Sequence, residues 1–217
     1  MNNLLIPRSK FSEFFWQVIE PKRNMWPVSY DLLEQLEGLR TQADYNTGTL
    51  SQDDICDLHN IVAYFKPERV AEIGTFIGRS TMAMAYAMDG GEIWTCDVSN
   101  NITLPEHPRT RIKQFPKTVS VDMLEAATKD RVAFDLFYID GRINEQDAKL
   151  MMRCERFEGA IIVLDDFEGI EKGVSNASLM LNALGQQGWQ QTLIYPRRGG
   201  KTALILPFER LKFVNQV

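Results

Sequence analysis

From Ser51 onward, apolar positions alternate between helical and strand spacing along the chain. Ser51-Gln52-Asp53-Asp54 resembles a capping box with Asp at the third helical position, so it opens a helix that runs to Phe65 and is ended by Pro67. Arg69 to Ile73 is a short apolar strand, followed by a glycine turn and a helix from Ser80 to Met88 that Asp89-Gly90-Gly91 stops. The alternation then continues through strands Glu92–Cys96 and Arg111–Phe115, helix Val121–Lys129 and strand Phe134–Ile139. Helix Asn144–Arg156, strand Ala160–Leu164 and helix Ser175–Gln187 complete it. Strands separated by helices of this length predict an α/β fold, a doubly wound and mostly parallel sheet with both faces covered. The tail departs from that rule. Trp189–Tyr195 and Lys201–Leu206 read as strands, and Pro196-Arg197-Arg198-Gly199-Gly200 between them has room only for a hairpin loop. At least one closing strand is therefore antiparallel.

Residues 1–50 carry a different pattern. Phe11, Phe14, Phe15 and Val18 are spaced as one apolar helix face, with Trp16 and Trp26 nearby and Pro7, Pro21 and Pro27 interrupting. Tyr30 to Leu39 gives a second short helix with Leu32, Leu33, Leu36 and Leu39 along it. We read 1–50 as a helical N-terminal extension or cap on a main domain spanning 51–217. An aromatic stripe of this kind also suits a lid or a homodimer surface.

Composition narrows the class. The 217 residues are 44% hydrophobic and 24% charged, the proportions of a globular enzyme or binding domain. With 24 basic against 29 acidic residues the net charge is −5, which argues against a nucleic-acid partner because phosphate binding needs a positive face. Cys56, Cys96 and Cys154 are odd in number and widely spaced, so they read as buried thiols of a reducing compartment. Leu4-Leu5-Ile6 is cut short by Pro7 and Arg8, and Ala160 to Leu164 is far too short to span a bilayer. A cytoplasmic protein with no membrane partner is the expectation.

Ligands of open α/β sheets bind beyond the carboxyl ends of the strands, where strand order reverses. The first such turn is Glu72-Ile73-Gly74-Thr75-Phe76-Ile77-Gly78-Arg79-Ser80. Gly74 permits a tight turn, Gly78 lets the next helix start close by, and that helix offers its free N–H groups to an anion. A dinucleotide pyrophosphate is a poor fit, since Phe76 stands where the second glycine of G-x-G-x-x-G lets phosphate touch the backbone. A carboxylate is easier to place, while Glu72 at the strand end attracts an ammonium; an amino acid, or a nucleoside bearing one, has both. Asp97 ends the next strand, nineteen residues after Gly78, and suits the hydroxyls of a ribose.

Val70 to Thr81 resembles the first motif of class I S-adenosylmethionine-dependent methyltransferases, nearest the branch of catechol-type and sugar O-methyltransferases. Phe137-Tyr138-Ile139-Asp140-Gly141 is similar to that branch's fourth-strand motif. The resemblance covers about residues 51–206. It implies a seven-stranded sheet with an antiparallel seventh strand, and S-adenosylmethionine at Glu72, Gly74, Thr75, Phe76, Gly78, Ser80, Asp97 and Asp140. It also implies transfer of a methyl group to a hydroxyl of a small-molecule substrate.

Asp140 ends the fourth strand and Asp165-Asp166 the fifth, so three carboxylates meet at one sheet edge. They repel unless a cation joins them, and hard oxygen ligands suit Mg²⁺ or another divalent cation. In the resembled metal-dependent enzymes these positions hold such an ion, which lowers the pKa of the substrate hydroxyl. The competing reading makes Asp140 part of the cofactor pocket and Asp165 and Asp166 local turn caps.

Two departures bear on catalysis. Arg142 and Ile143 stand where the resembled enzymes often carry a base, and arginine stays protonated. Arg142 remains suited to clamp a carboxylate or phosphate of the substrate; either Glu145 or Asp166 then takes the proton, or metal activation suffices, or transfer is lost. Gln114 to Ser120 also lacks the family's turn near the adenine. The same departures motivate the alternative function, a cofactor-binding protein without transferase activity. His59 reads as a packed or surface residue, and nothing requires His107, in its polar loop, to overhang the site. Arg197, Arg198 and Lys201 read as solvated, with a phosphate-bearing substrate as the sharper option. Met82, Met84 and Met88 are core filler.

Overall fold

The computed structural model of the chain describes residues 30–42, 50–99, 104–167, 170–194, 196 and 200–207. The aromatic helix expected around Phe11–Val18, with any lid or dimer surface on it, lies outside the described residues, as do Arg197 and Arg198.

Helices α1 (Tyr30–Gln42) and α2 (Gln52–Phe65) precede strand β1 (Arg69–Ile73), helix α3 (Arg79–Ala87) and strands β2 (Gly91–Asp97) and β3 (Thr110–Pro116). Helix α4 (Ser120–Lys129), β4 (Leu136–Ile139), α5 (Glu145–Met151), β5 (Ile161–Leu164), α6 (Ser175–Gln186), β6 (Gln191–Ile194) and β7 (Ala203–Pro207) follow. A single 3₁₀ turn, Phe157–Gly159, leads into β5, and a π-helical turn, Ile170–Val174, leads into α6. The strands form one seven-stranded sheet in the order β3-β2-β1-β4-β5-β7-β6. β1 to β5 are mutually parallel, and β7 runs antiparallel between β5 and β6. The doubly wound sheet and its antiparallel ending are thus as the sequence predicts.

Strand alternation explains the two-sided core. On β4, Leu136 and Tyr138 face one apolar cluster and Phe137 and Ile139 the other; Ile161 and Val163 are likewise opposed to Ile162 and Leu164 on β5. The first cluster takes Leu32 and Leu36 from α1, Leu58 and Ile61 from α2, and Met82, Met84 and Met88 from α3 and its cap. The second takes Met123 and Leu124 from α4, Met151 from α5 and Met180 from α6. Both sheet faces are therefore closed to water, as parallel strands require. No helix among the described residues is long and apolar enough to cross a membrane.

Several boundaries differ from the sequence reading. The helix expected over Asn144–Arg156 ends at Met151, because the chain turns through Arg156 at φ 60° into the 3₁₀ turn that delivers β5. Its start is firm: Asn144 accepts from Gln146 N at 2.7 Å and Asp147 N at 3.2 Å, and Asp147 accepts from Asn144 N at 2.8 Å. β4 begins at Leu136 rather than Phe134, since Asp135 turns its carboxylate onto the N–H groups of Glu68 and Arg69, at 2.9 and 3.0 Å. Ser51 does cap α2 by accepting from Asp54 N at 3.2 Å. Cys96 and Cys154 are buried free thiols as expected, but Cys56 is only half-buried.

Asp147 also accepts a 2.7 Å hydrogen bond from Ser120 Oγ, so one buried carboxylate ties α4 to α5 beneath the segment that carries Asp140. Replacing it removes two side-chain bonds and leaves the Asn144 N–H unpaired. Asp147→Ala is expected to cost about 2–3 kcal/mol, read as a lower urea midpoint with an unchanged slope.

Candidate functional site

The sheet's strand order reverses between β1 and β4, and the chain opens there. Ile73 O accepts from Asp140 N at 2.9 Å and Gly141 N at 2.7 Å, so the two strand ends stay stitched one residue past the ladder. Gly74, at φ 103°, turns the chain away; a Cβ on it would stand 3.0 Å from Gly141 N and 3.1 Å from the Asp140 carbonyl carbon. Only glycine allows that approach without displacing backbone. Gly78, at φ 82°, is the N-cap residue of α3, and no side chain caps the helix. The first N–H groups of α3 are thereby left for an anion. The space beside Gly78 belongs to Leu104, whose Cδ2 would lie 1.9 Å from an added Cβ. Leu104, ahead of β3, thus packs over the turn, a contact that nothing in the sequence pattern marks.

Phe76 sits at φ 45° and donates its N–H to Asp97 Oδ2 at 2.8 Å. Asp97 Oδ1 accepts from Ser99 N and Ser99 Oγ, both at 2.8 Å. These bonds fix the carboxylate at the end of β2 and leave it lone pairs for a ligand hydroxyl. Thr118 N donates to Asp97 O at 3.0 Å, so the Gln114–Ser120 segment lies against the same acid despite its unusual sequence.

Three predicted ligand-binding side chains point inward instead. Glu72 has no exposed surface and accepts from Ser80 Oγ and Thr81 Oγ1, while Thr75 Oγ1 is paired with Thr95 Oγ1 at 2.6 Å. Glu72 therefore props the turn from beneath rather than presenting its carboxylate to an ammonium. Ser80 and Thr75 contribute hydroxyls to that support, and Thr75 N donates to Cys96 O at 3.1 Å, so of the two it is Ser80, in the first turn of α3, that can offer a ligand its backbone N–H. Burial pushes the Glu72 carboxyl up to about 7, although the hydroxyls around it favour the charged form.

The acids of β4 and β5 converge as expected. Oxygens of Asp140, Asp165 and Asp166 lie within 4.8 Å of one another. Burial raises both the Asp140 and the Asp165 carboxyls; at Asp140 the Lys172 ammonium pulls back against burial while Asp166 adds to the rise, and at Asp165 the charges of Asp140 and Asp166 add to it. Asp165 Oδ1 and the Tyr138 hydroxyl are buried without a hydrogen-bond partner among the described residues. Asp166 stands at φ 51°, a left-handed conformation sparse for residues with a side chain and frequent at functional sites.

A cation is already in the cluster. Lys172, on the π-helical turn, donates through Nζ to Asp140 Oδ1 and, at 2.9 Å, to Asp166 Oδ2. Burial alone would lower its pKa, but the two carboxylates outweigh burial and hold it above the ordinary value. Lys201 is exposed, as the sequence reading has it, and its Nζ lies 3.9 Å from Asp166 Oδ1, at the border of the cluster. Sequence reasoning missed Lys172; the only local mark was Gly173 beside it.

Other expected residues fall elsewhere. Arg142 is exposed on the loop after β4. Glu145 lies on the outer face of α5, 3.7 Å from Lys149 and outside the acidic cluster. His107 accepts from Thr110 N at 3.0 Å at the amino end of β3, the opposite edge of the sheet, so it does not overhang the site. His59 is buried in α2, and burial lowers its pKa.

The Glu72 carboxyl gives a pH test. It titrates near 4.5 when unfolded and about 7 when folded, so between those values the folded state holds a proton that the unfolded chain lacks. Stability from this group is full below pH 4.5 and is lost as pH rises through 7, by roughly 3 kcal/mol in all. Thermal melts from pH 5 to 8 should show Glu72→Gln flattening that decline; an unchanged profile would contradict the assignment.

No family model matches the chain, and none of the curated proteins matches it in sequence. Solved structures do match in fold. An O-methyltransferase from Bacillus cereus in complex with S-adenosylhomocysteine superposes at a TM-score of 0.60, with 15% identity over 90% of this chain and 98% of that one. An O-methyltransferase from Streptomyces achromogenes involved in tomaymycin synthesis, in complex with S-adenosylmethionine, gives 0.59 and 16% over 94% and 99%. A Podospora anserina methyltransferase bound to S-adenosylhomocysteine gives 0.55 and 15% over 95% and 99%. The chain therefore has the fold of S-adenosylmethionine-dependent O-methyltransferases, over nearly its whole length.

Proposed function

We propose that this protein is an S-adenosylmethionine-dependent methyltransferase acting on a hydroxyl of a small molecule. The observation that carries the reading is the pairing, at one switch point, of an uncapped α3 N-terminus behind Gly74 with a fixed Asp97 carboxylate. The first suits the amino-acid carboxylate of the cofactor and the second its ribose hydroxyls. The ligands named for the superposed O-methyltransferases support the same choice.

S-adenosylmethionine, when bound, supplies an electrophilic methyl group on a sulfonium. The chain's own part is to hold that group and make an acceptor oxygen nucleophilic beside it. Asp140 and Asp166 lie at the strand ends next to the cofactor turn, placed to accept a proton from a hydroxyl. The acidic surface of the site and the net charge of −5 favour a small acceptor over nucleic acid.

A divalent cation was the sequence expectation at Asp140, Asp165 and Asp166. The donor set is of the right hardness, and the unpartnered Asp165 Oδ1 points the same way. The ammonium of Lys172 nonetheless stands between two of the three carboxylates, so the arrangement does not fit such an ion. The binding-only alternative drew on the absence of a base near Arg142. Asp166 and Lys172, at the same sheet edge from another segment, weigh against it.

Calorimetry separates these readings. S-adenosylhomocysteine should bind and NAD should not, and Asp97→Ala should weaken the nucleoside about 10- to 100-fold, the worth of charge-assisted hydrogen bonds. Binding of NAD with no response to either sulfur nucleoside would refute the proposal. Methylation of any member of a panel of vicinal diols and sugars would eliminate the binding-only protein.

A further inference from the structure

We infer that Lys172 is the resident cation of the acidic cluster, and that methyl transfer proceeds with this tethered ammonium in the place of a divalent metal. The inference rests on the methyltransferase reading and deepens it.

Three observations carry it. First, Nζ bridges Asp140 and Asp166 across the gap between the ends of β4 and β5, joining residues 32 and six positions away in sequence. An ion shared by those two carboxylates would need that same position. Second, the segment is held there by backbone packing. A Cβ on Gly173 would stand 2.6 Å from Asp165 O, Asp166 O and the Phe167 Cα, so the π-helical turn presses directly on the strand end. Lys172 is thus delivered by a glycine contact closer than the one at Gly74, and its place does not depend on the ion pair alone. Third, the lysine side chain keeps 22% of its surface, enough for the head group to meet a ligand. An ammonium has three hydrogens. Two are used on Asp140 and Asp166, and the third is free for the acceptor oxygen.

The step then balances without a metal. The acceptor O–H bond breaks and its proton passes to the Asp166 carboxylate. The oxygen, held by the Lys172 hydrogen bond, forms a bond to the methyl carbon. The methyl–sulfur bond breaks, and its electron pair stays on the now neutral sulfur.

Manganese binding followed by the electron paramagnetic resonance signal of free Mn²⁺ tests this directly, on the full chain and without turnover. Wild type should leave Mn²⁺ free to millimolar concentration. Lys172→Met, which removes the charge and keeps the bulk, should gain affinity by at least about tenfold, since a cation no longer repels the ion. Lys172→Arg should behave as wild type. Micromolar Mn²⁺ binding by wild type that disappears in Asp166→Ala would overturn the inference, whether or not the lysine variants fold. Folded Lys172→Met that gains no affinity would overturn it equally. Affinity for S-adenosylhomocysteine measured on the same samples reports on the methyltransferase reading, so failure of one is distinguishable from failure of the other.

Discussion

Four carboxylates gathered at the carboxyl edge of one sheet, three of them largely out of water, are the constraint around which this protein is arranged. Charge in that setting is stable only where something answers it. Glu72 is answered by the hydroxyls of Ser80 and Thr81 from the helix it precedes. Asp140 and Asp166 are answered by Lys172, reached from the segment after β5. Asp165 keeps an oxygen with no partner among the described residues, and burial moves its carboxyl toward the protonated form. The pattern is one of graded compensation, from neutral hydroxyls under the Gly74 turn to a full positive charge between Asp140 and Asp166.

Close backbone approach makes the compensation possible. Gly74 lets β1 and β4 part at the switch point while Ile73 O still holds both Asp140 and Gly141. Gly173 lets a helical turn rest on the Asp165–Asp166 carbonyls. Both glycines replace side-chain volume with backbone contact, and each delivers one half of the cluster. The strain at Phe76 and Asp166, with positive φ, falls at the same two turns. Positive φ also occurs at Lys66, Lys117, Arg131 and Arg156, so what sets the two site turns apart is their close glycine contacts and not the backbone angle.

The differences between the sequence reading and the structure share one cause. Ser80, Thr75 and Glu72 were expected to face a ligand because they lie in the right turn, yet a turn of this kind has an inner side as well. Which side each hydroxyl takes is decided by Thr95 on β2, 20 residues from Thr75, and by the Glu72 oxygens buried at the end of β1. The places of His107 and Lys201 depend on assembly in the same way. Their loops read as polar, and only the assembled sheet shows which edge each loop serves.

Hydrophobic period and turn chemistry were enough to determine the order of strands and helices, the two-faced sheet and the antiparallel close. They also placed Gly74, Asp97, Asp140 and Asp165-Asp166 at strand ends. These are local properties: a period of two or 3.6 residues and a glycine turn act over a few neighbours. The insertion of β7 between β5 and β6, the inward turn of the hydroxyls, the cover of Leu104 over Gly78 and the arrival of Lys172 between two aspartates were decided by tertiary structure. Each depends on where segments come to lie once the sheet has closed, and no local pattern encodes which charge will meet which.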